Sequence, residues 1–139
     1  MTENTAPFIT RVQVMFFDTD SAGVVNNISY LRFIETARTL FAIELGLRWQ
    51  EMREGPVFPV VVRTEIDYHR PAFVGDELEI HSSLGEIRAA RFWCHFKIIR
   101  PTDGLLLISC KQSLAFVKIP EGKPLRLPRG FPRPFAPTP

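Results

Sequence analysis

The chain has 139 residues, 45% of them hydrophobic, and a net charge of +2. That length suits one domain with a real core and is short for two. So small a charge argues against nucleic-acid binding, and part of the surplus sits near the C-terminus at Arg126, Arg129 and Arg133. A few exposed Arg or Lys side chains can still serve a phosphorylated ligand. Cys94 and Cys110 are the only cysteines. Each lies in an apolar run, with no CxxC and no His spacing that suggests zinc, so both are expected to be reduced core thiols. The N-terminus MTENTAPFITR lacks a basic-then-apolar signal pattern, and no apolar run approaches membrane-spanning length. A cytoplasmic protein without membrane insertion or a nucleic-acid partner is the expectation.

Residues 1–7 are polar, end in a proline and read as a loose arm. From residue 8 to 17 the run FITRVQVMFF alternates with a period of two, which predicts a strand. Asp18 to Gly23 then break it with turn chemistry. A helix is predicted to start at Asn26 or Asn27, either of which can cap free backbone N–H groups, and to stop at Gly46. Its polar positions, Arg32, Glu35 or Thr36, and Thr39, form one thin seam where Glu35 can pair with Arg38 or Thr39. The rest of the helix is so broadly apolar that enclosure on most sides is expected.

Residues 47–57 show weak periodicity and end in Gly55-Pro56, so they read as a connecting segment. Four strand candidates follow: FPVVVRTEIDYHR, ELEIHSSLGEI, RFWCHFKIIR and LLLISCKQSLAFVKI. In the first, Val60, Val62, Thr64, Ile66 and Tyr68 share a face; in the second, Leu78, Ile80, Ser82 and Leu84 do. Short links make neighbouring strands antiparallel. From Pro120 onward seven prolines and no periodicity predict an extended or disordered tail that is neither strand nor helix. The expected organisation is an arm (1–7), a domain (8–119) and a proline-rich tail (120–139). The order β-α-β-β-β-β gives an α+β domain, a curved five-stranded antiparallel sheet wrapped around one long central helix. Unprotected sheet edges predict self-association.

Chemistry concentrates in FDTDSAGVVNNISYLRFIETAR, where an acid, a glycine and a helix start lie within a few residues. By residue type alone Asp20 reads as a turn or cap residue, or as a reactive carboxylate. The start of this stretch is like a calcium loop, but the later ligands and the closing glutamate are missing, so no metal is expected. Backbone amides at Gly23 and Val24 precede the helix, where unpaired N–H groups and the helix dipole favour negative charge. A carbonyl oxygen resting there is stabilised as it becomes an oxyanion. Asp20 can then attack the carbonyl carbon or deprotonate a water that does so. A thioester is activated enough for so sparse a site. His69, His81 and His95 fall on three different strands and suit surface or packing roles.

The pattern D-T-D-x-x-G-V-V-x-N-x-x-Y-L-x-x-x-E-x-A-R, at residues 18–38, resembles the signature of hotdog-fold thioesterases of the 4-hydroxybenzoyl-CoA thioesterase family. It is most similar to the bacterial acyl-CoA thioesterase branch associated with the Tol–Pal system. The resemblance implies a catalytic carboxylate at Asp20 rather than Asp18, and an oxyanion contact from the backbone of Gly23 and Val24. It implies that Tyr30 packs beside the acyl pocket and that the site lies between subunits of a homodimer or homotetramer. It also implies that Arg88 and Arg91, near the third-to-fourth strand turn, hold the CoA nucleotide. Coenzyme A would arrive as part of the substrate, with no other cofactor. Asn27 stands where Tol–Pal-type enzymes commonly have His; it cannot carry a proton near neutral pH but can orient a carbonyl or a water. The resulting GVVNN is similar to plant acyl-ACP thioesterases that keep the Asp. Acyl-ACP hydrolysis and a non-catalytic acyl-CoA-binding module therefore stand beside acyl-CoA hydrolysis as alternatives.

Overall fold

The computed structural model describes residues 6–127. In chain order they form β1 (Phe8–Gln13), a 3₁₀ turn (Phe16–Asp18), α1 (Asn27–Glu44), α2 (Trp49–Glu54), β2 (Val57–Tyr68), β3 (Glu77–Ile87), β4 (Arg91–Arg100), β5 (Leu105–Lys118) and β6 (Lys123–Leu125). The strands make one antiparallel sheet in the order β1-β3-β4-β5-β2, with β6 added to β5. Bulges interrupt the ladders on β2, β3 and β5, and such insertions bend and twist the strands that carry them. The helix lies against one face of this sheet, which is the hotdog arrangement expected from the sequence.

Alpha-helical spacing explains which residues do the packing. Tyr30, Phe33, Ile34, Ala37 and Phe41 recur at three and four residues and are all buried. They meet Leu78 and Ile80 of β3, Cys94, Phe96 and Ile98 of β4, and Cys110 and Leu114 of β5 in one apolar core. Each such side chain contributes about 1.5–3 kcal/mol by leaving water. One polar network runs through the contact. Arg38 reaches from α1 to the buried Gln112 of β5 at 2.7 Å, and Gln112 donates to Thr64 of β2 at 3.1 Å. The expected seam pairing is also present, with Arg38 donating to Glu35 at 2.8 Å and Thr39 Oγ1 to the Glu35 carbonyl at 3.0 Å. No helix among the described residues is long and apolar enough to cross a membrane.

Several expectations are corrected. The helix is not enclosed on most sides: Ile28 is 73% exposed, and Leu31 and Leu40 are also exposed, because a single sheet covers only the inner face. The first strand ends at Gln13, not at residue 17, because the chain turns into the 3₁₀ segment, leaving Met15, Phe16 and Phe17 exposed. Residues 49–54 are helical rather than irregular; Arg48 N–H donates to Glu51 Oε1 at 2.9 Å and starts the turn. In β2 the bulge at Val62 inserts an extra residue, so Val61 and Ile66 both face the core while Val60 and Val62 are exposed. Simple alternation had placed Val60, Val62 and Ile66 together.

The proline-rich tail supplies a strand. At this end β4 stops opposite Ala115, and the edge of β5 beyond it is open. There β6 pairs Leu125 with Phe116, Pro124 with Val117 and Lys123 with Lys118. Pro124 is tolerated because an edge strand can lack a donor. Leu127 N–H then donates to the Ala89 carbonyl at 2.8 Å, and Leu125 and Leu127 pack on the core. Among the described residues the sheet thus has six strands, and the packed domain continues past 119; residues 128–139 of the expected tail lie outside the described residues. A chain ending at Ile119 is expected to unfold about 2 kcal/mol more easily than one ending at Leu127, since two half-buried leucines are lost. Urea denaturation of the two truncations checks this; equal midpoints would show that β6 adds nothing.

Candidate active site

The DTD motif forms a short hairpin between β1 and α1, tied down at its base. Val14 N–H donates to the Asp76 carbonyl at 2.8 Å, and Gly75 N–H returns to the Val14 carbonyl at 2.9 Å. Asn26 N–H donates to the Asp18 carbonyl at 3.1 Å and Asp20 N–H to the Val24 carbonyl at 3.0 Å, with Thr19 bridging Val25. At the tip Gly23 N–H donates to the Asp20 carbonyl at 3.0 Å, and Gly23 takes a φ of 74° that side chains rarely adopt. The segment between β2 and β3 backs this hairpin. Val25 N–H donates to the Ala72 carbonyl at 2.9 Å, and Val74 N–H to the Gly23 carbonyl at 3.0 Å. That segment is itself held by Arg100, which donates to Asp76 at 3.0 Å and to the Pro71 carbonyl at 3.3 Å.

The two acids of the motif have different environments. Asp18 is 4% exposed. Its Oδ2 accepts Met15 N–H at 2.8 Å and its Oδ1 accepts Arg32 Nη2 at 3.3 Å. Asp20 is exposed; its Oδ1 accepts Ala22 N–H at 3.0 Å and its other oxygen has no partner among the described residues. Asp20 is therefore both a turn residue and an available carboxylate. Of the two expected oxyanion amides, Gly23 N–H is spent inside the hairpin, whereas Val24 N–H has no partner among the described residues.

The helix start completes this end. Asn26 is the cap, its side chain accepting Ser29 N–H at 2.9 Å, and Asn27 is the first helical residue, exposed beside it. Tyr30 is buried, its hydroxyl accepting Ala72 N–H at 3.0 Å and its ring 5.7 Å from that of Tyr68. Burial pushes the Tyr30 hydroxyl above its ordinary pKa of 10.0. Tyr30 thus fastens α1 to the segment that backs the hairpin. Apolar side chains of the neighbouring segments are exposed: Phe16, Phe17, Ile28, Phe73 and Val74.

Arg88 and Arg91 are not part of this cluster. They sit at the β3–β4 turn, where Arg88 N–H donates to the Arg91 carbonyl at 2.7 Å and the Arg88 side chain pairs with Glu86 at 2.6 Å. The intervening β3 has 11 residues, on the order of 35 Å of strand. Near that far end lies an apolar cavity of about 210 Å³ lined by Arg38, Phe41, Leu45, Met52, Phe58 and Phe92. The histidines make their contacts elsewhere: His69 with Ser109 at 2.9 Å, His81 with Glu79 at 3.1 Å, and His95 over Gly85. Cys94 and Cys110 are free, and burial pushes their thiols up to about 12 and about 11, which leaves them unreactive.

Sequence reasoning missed Arg32, Ala72, Asp76 and Arg100. Arg32 carried a faint signal as a cation on the polar seam, but its partner is 14 residues away through an irregular hairpin. The other three reach the site only through tertiary contact.

Similarity to known proteins decides the family. Residues 14–135 match the sequence pattern of the thioesterase-like superfamily. The chain belongs to that superfamily. It is 32% identical over 123 residues to an acyl-CoA thioesterase, YbgC, of Haemophilus influenzae, covering 88% of this chain and 89% of that one. It is 30% identical over 123 residues to a putative esterase of Aquifex aeolicus, covering 88% and 93%. Among solved structures, a 1,4-dihydroxy-2-naphthoyl-CoA thioesterase from Synechocystis superposes with a TM-score of 0.79 at 28% identity, covering 88% and 90%. These relatives place the hotdog sheet and helix of this thioesterase-like chain in a family of enzymes.

Replacing Tyr30 with Phe keeps the ring but leaves the buried Ala72 N–H unpaired, a loss of about 1–3 kcal/mol. Chemical denaturation of Tyr30→Phe measures it; a change below about 0.5 kcal/mol would mean that the amide finds water instead.

Proposed function

We propose that the chain hydrolyses acyl-CoA thioesters to the free acid and CoA, with Asp20 as the reacting carboxylate. The observation that carries this reading is the pairing at the hairpin of an open Asp20 oxygen with an unpartnered Val24 N–H. A thioester carbonyl resting on Val24 N–H is polarised, a contact worth about 10²–10³ in rate for a well-placed donor. Asp20 then attacks the carbonyl carbon, expelling the CoA thiolate and forming an anhydride that water cleaves. Alternatively it takes a proton from a water that attacks directly. Both routes consume one water and release acid and thiol. Asn27, exposed at the helix start, can orient the carbonyl or the water. Tyr30 acts from beneath by holding the wall of the acyl site.

The CoA nucleotide is assigned to Arg88 and Arg91 of a second subunit, since within one chain they lie at the far end of the sheet from Asp20. The same reading makes the enzyme a homodimer or homotetramer with its site between subunits. Supporting it, β2 is a 12-residue edge strand with Val57, Val60, Val62 and Tyr68 exposed. Apart from CoA carried by the substrate no cofactor is invoked. A cytoplasmic setting suits the two free thiols.

Hydrolysis of an acyl-CoA panel, followed by thiol release, tests the assignment with Asp20→Asn. The Asn side chain can still accept Ala22 N–H, so the hairpin is expected to persist while the rate falls at least about 10²-fold. Near wild-type turnover by the folded variant would remove Asp20 from the chemistry. A wild type inert towards acyl-CoA but active on acyl-ACP would change the carrier. Binding without turnover of either would make the chain an acyl-CoA-binding module.

A further inference from the structure

We infer that Asp18 and Arg32 form a positioning pair that sets Asp20 and Val24 against the start of α1. This inference rests on the reading of Asp20 as the reacting group. A carboxylate removed from water is costly unless its oxygens are matched, and Asp18 is 4% exposed. Both oxygens are matched, one by Met15 N–H at 2.8 Å and the other by Arg32 at 3.3 Å. The main chain of Asp18 is occupied as well, its N–H donating to the Met15 carbonyl at 2.9 Å and its carbonyl accepting from Asn26 at 3.1 Å. One residue thereby joins the 3₁₀ turn, the cap of α1 and, through Arg32, the second turn of α1.

Asp20 is two residues further on, and Asp20 and Val24 are held to each other across the same hairpin at 3.0 Å. The hairpin therefore moves as a unit carrying both reacting groups. The bonds of Val25 and Gly23 to the segment between β2 and β3 hold that unit from behind, and the link from Asp18 to the helix aligns it with Asn27. Arg32 is suited to alignment more than to stability. Its side chain is 58% exposed, so solvent screens it and the pair adds little to folding. Its other contacts are weak, 3.5 Å to Ser29 Oγ and 6.0 Å from the Phe17 ring centroid. Without Arg32 the Asp18 carboxylate loses its one matched cation, and the least costly relief is for the hairpin to shift toward water. A displacement of about 1 Å at a reacting group can lower a rate by up to 10²-fold.

The test uses the full chain and three variants. Arg32→Met is expected to lower kcat roughly tenfold with KM for the acyl-CoA within about twofold, a loss confined to the chemical step. Arg32→Lys is expected to recover most of kcat, because an ammonium can still face Asp18. Asp18→Asn, which keeps an acceptor for Met15 but no charge for Arg32, is expected to match Arg32→Met and serves if that variant does not fold. Hydrogen exchange supplies a readout independent of turnover: the amides of Asp20, Gly23 and Asn26 are expected to exchange roughly tenfold faster in Arg32→Met and Asp18→Asn, with those of β4 unchanged. Unchanged kcat in the folded variants, or exchange equal to wild type, overturns the inference. A raised KM at constant kcat overturns it too, by making Arg32 a substrate contact. Failure of the Asp20 reading is seen separately, as an undiminished rate in Asp20→Asn, and leaves the exchange result to decide whether the pair holds the hairpin.

Discussion

Burial of one face of α1 against the antiparallel sheet is the constraint on which the rest depends. Tyr30, Phe33, Ile34, Ala37 and Phe41 can all be dry only if the helix lies along the strands. That placement brings its N-terminus to the β2–β3 segment and its C-terminus to the β3–β4 turn. The helix has 18 residues, about 27 Å, so the two ends are distinct environments. One end gathers the acid, the open amide and the polar helix start. The other gathers an apolar cavity and two arginines.

The hairpin between β1 and α1 shows how hydrogen-bond accounting can leave groups open at a candidate site. Much of the backbone there is paired, either across the hairpin or with the segment at residues 71–76. That pairing makes the loop rigid, and rigidity is what a positioned acid requires. Among the groups left over are one oxygen of Asp20 and the N–H of Val24. An acceptor and a donor left over on one hairpin suit a molecule that brings water and a carbonyl. The buried acid, Asp18, is consumed in holding the frame.

A single chain leaves much apolar surface uncovered. Phe16, Phe17 and Ile28 are each more than 70% exposed, and the long β2 edge has no neighbour among the described residues. Exposed groups of this kind mark surfaces that meet another molecule. Together with the distance between Asp20 and the arginines, they fit the proposed site shared between copies.

How much of this was legible in the sequence depended on whether the governing contact was local. The helix, its Asn cap, the strands β3 and β4 and the DTD turn all follow from short-range rules, since a period, a cap or a turn residue acts over only a few positions. The family signature is local too, and it singled out Asp20 over Asp18. Packing and pairing lay beyond those rules. Alternation failed at Val62 because a bulge changes the phase without changing composition. The proline-rich tail hid β6 because its strand exists only where β4 stops and leaves the edge of β5 open. The burial of Asp18 and the separation of Arg88 and Arg91 from the acid were decided by the tertiary structure, whereas Gly23 N–H is taken by Asp20 within the turn itself. The sequence by itself determined which groups are present and the local turns that hold them. Only the packed sheet decided which of those groups are buried and which elements back them, because that depends on partners tens of residues away.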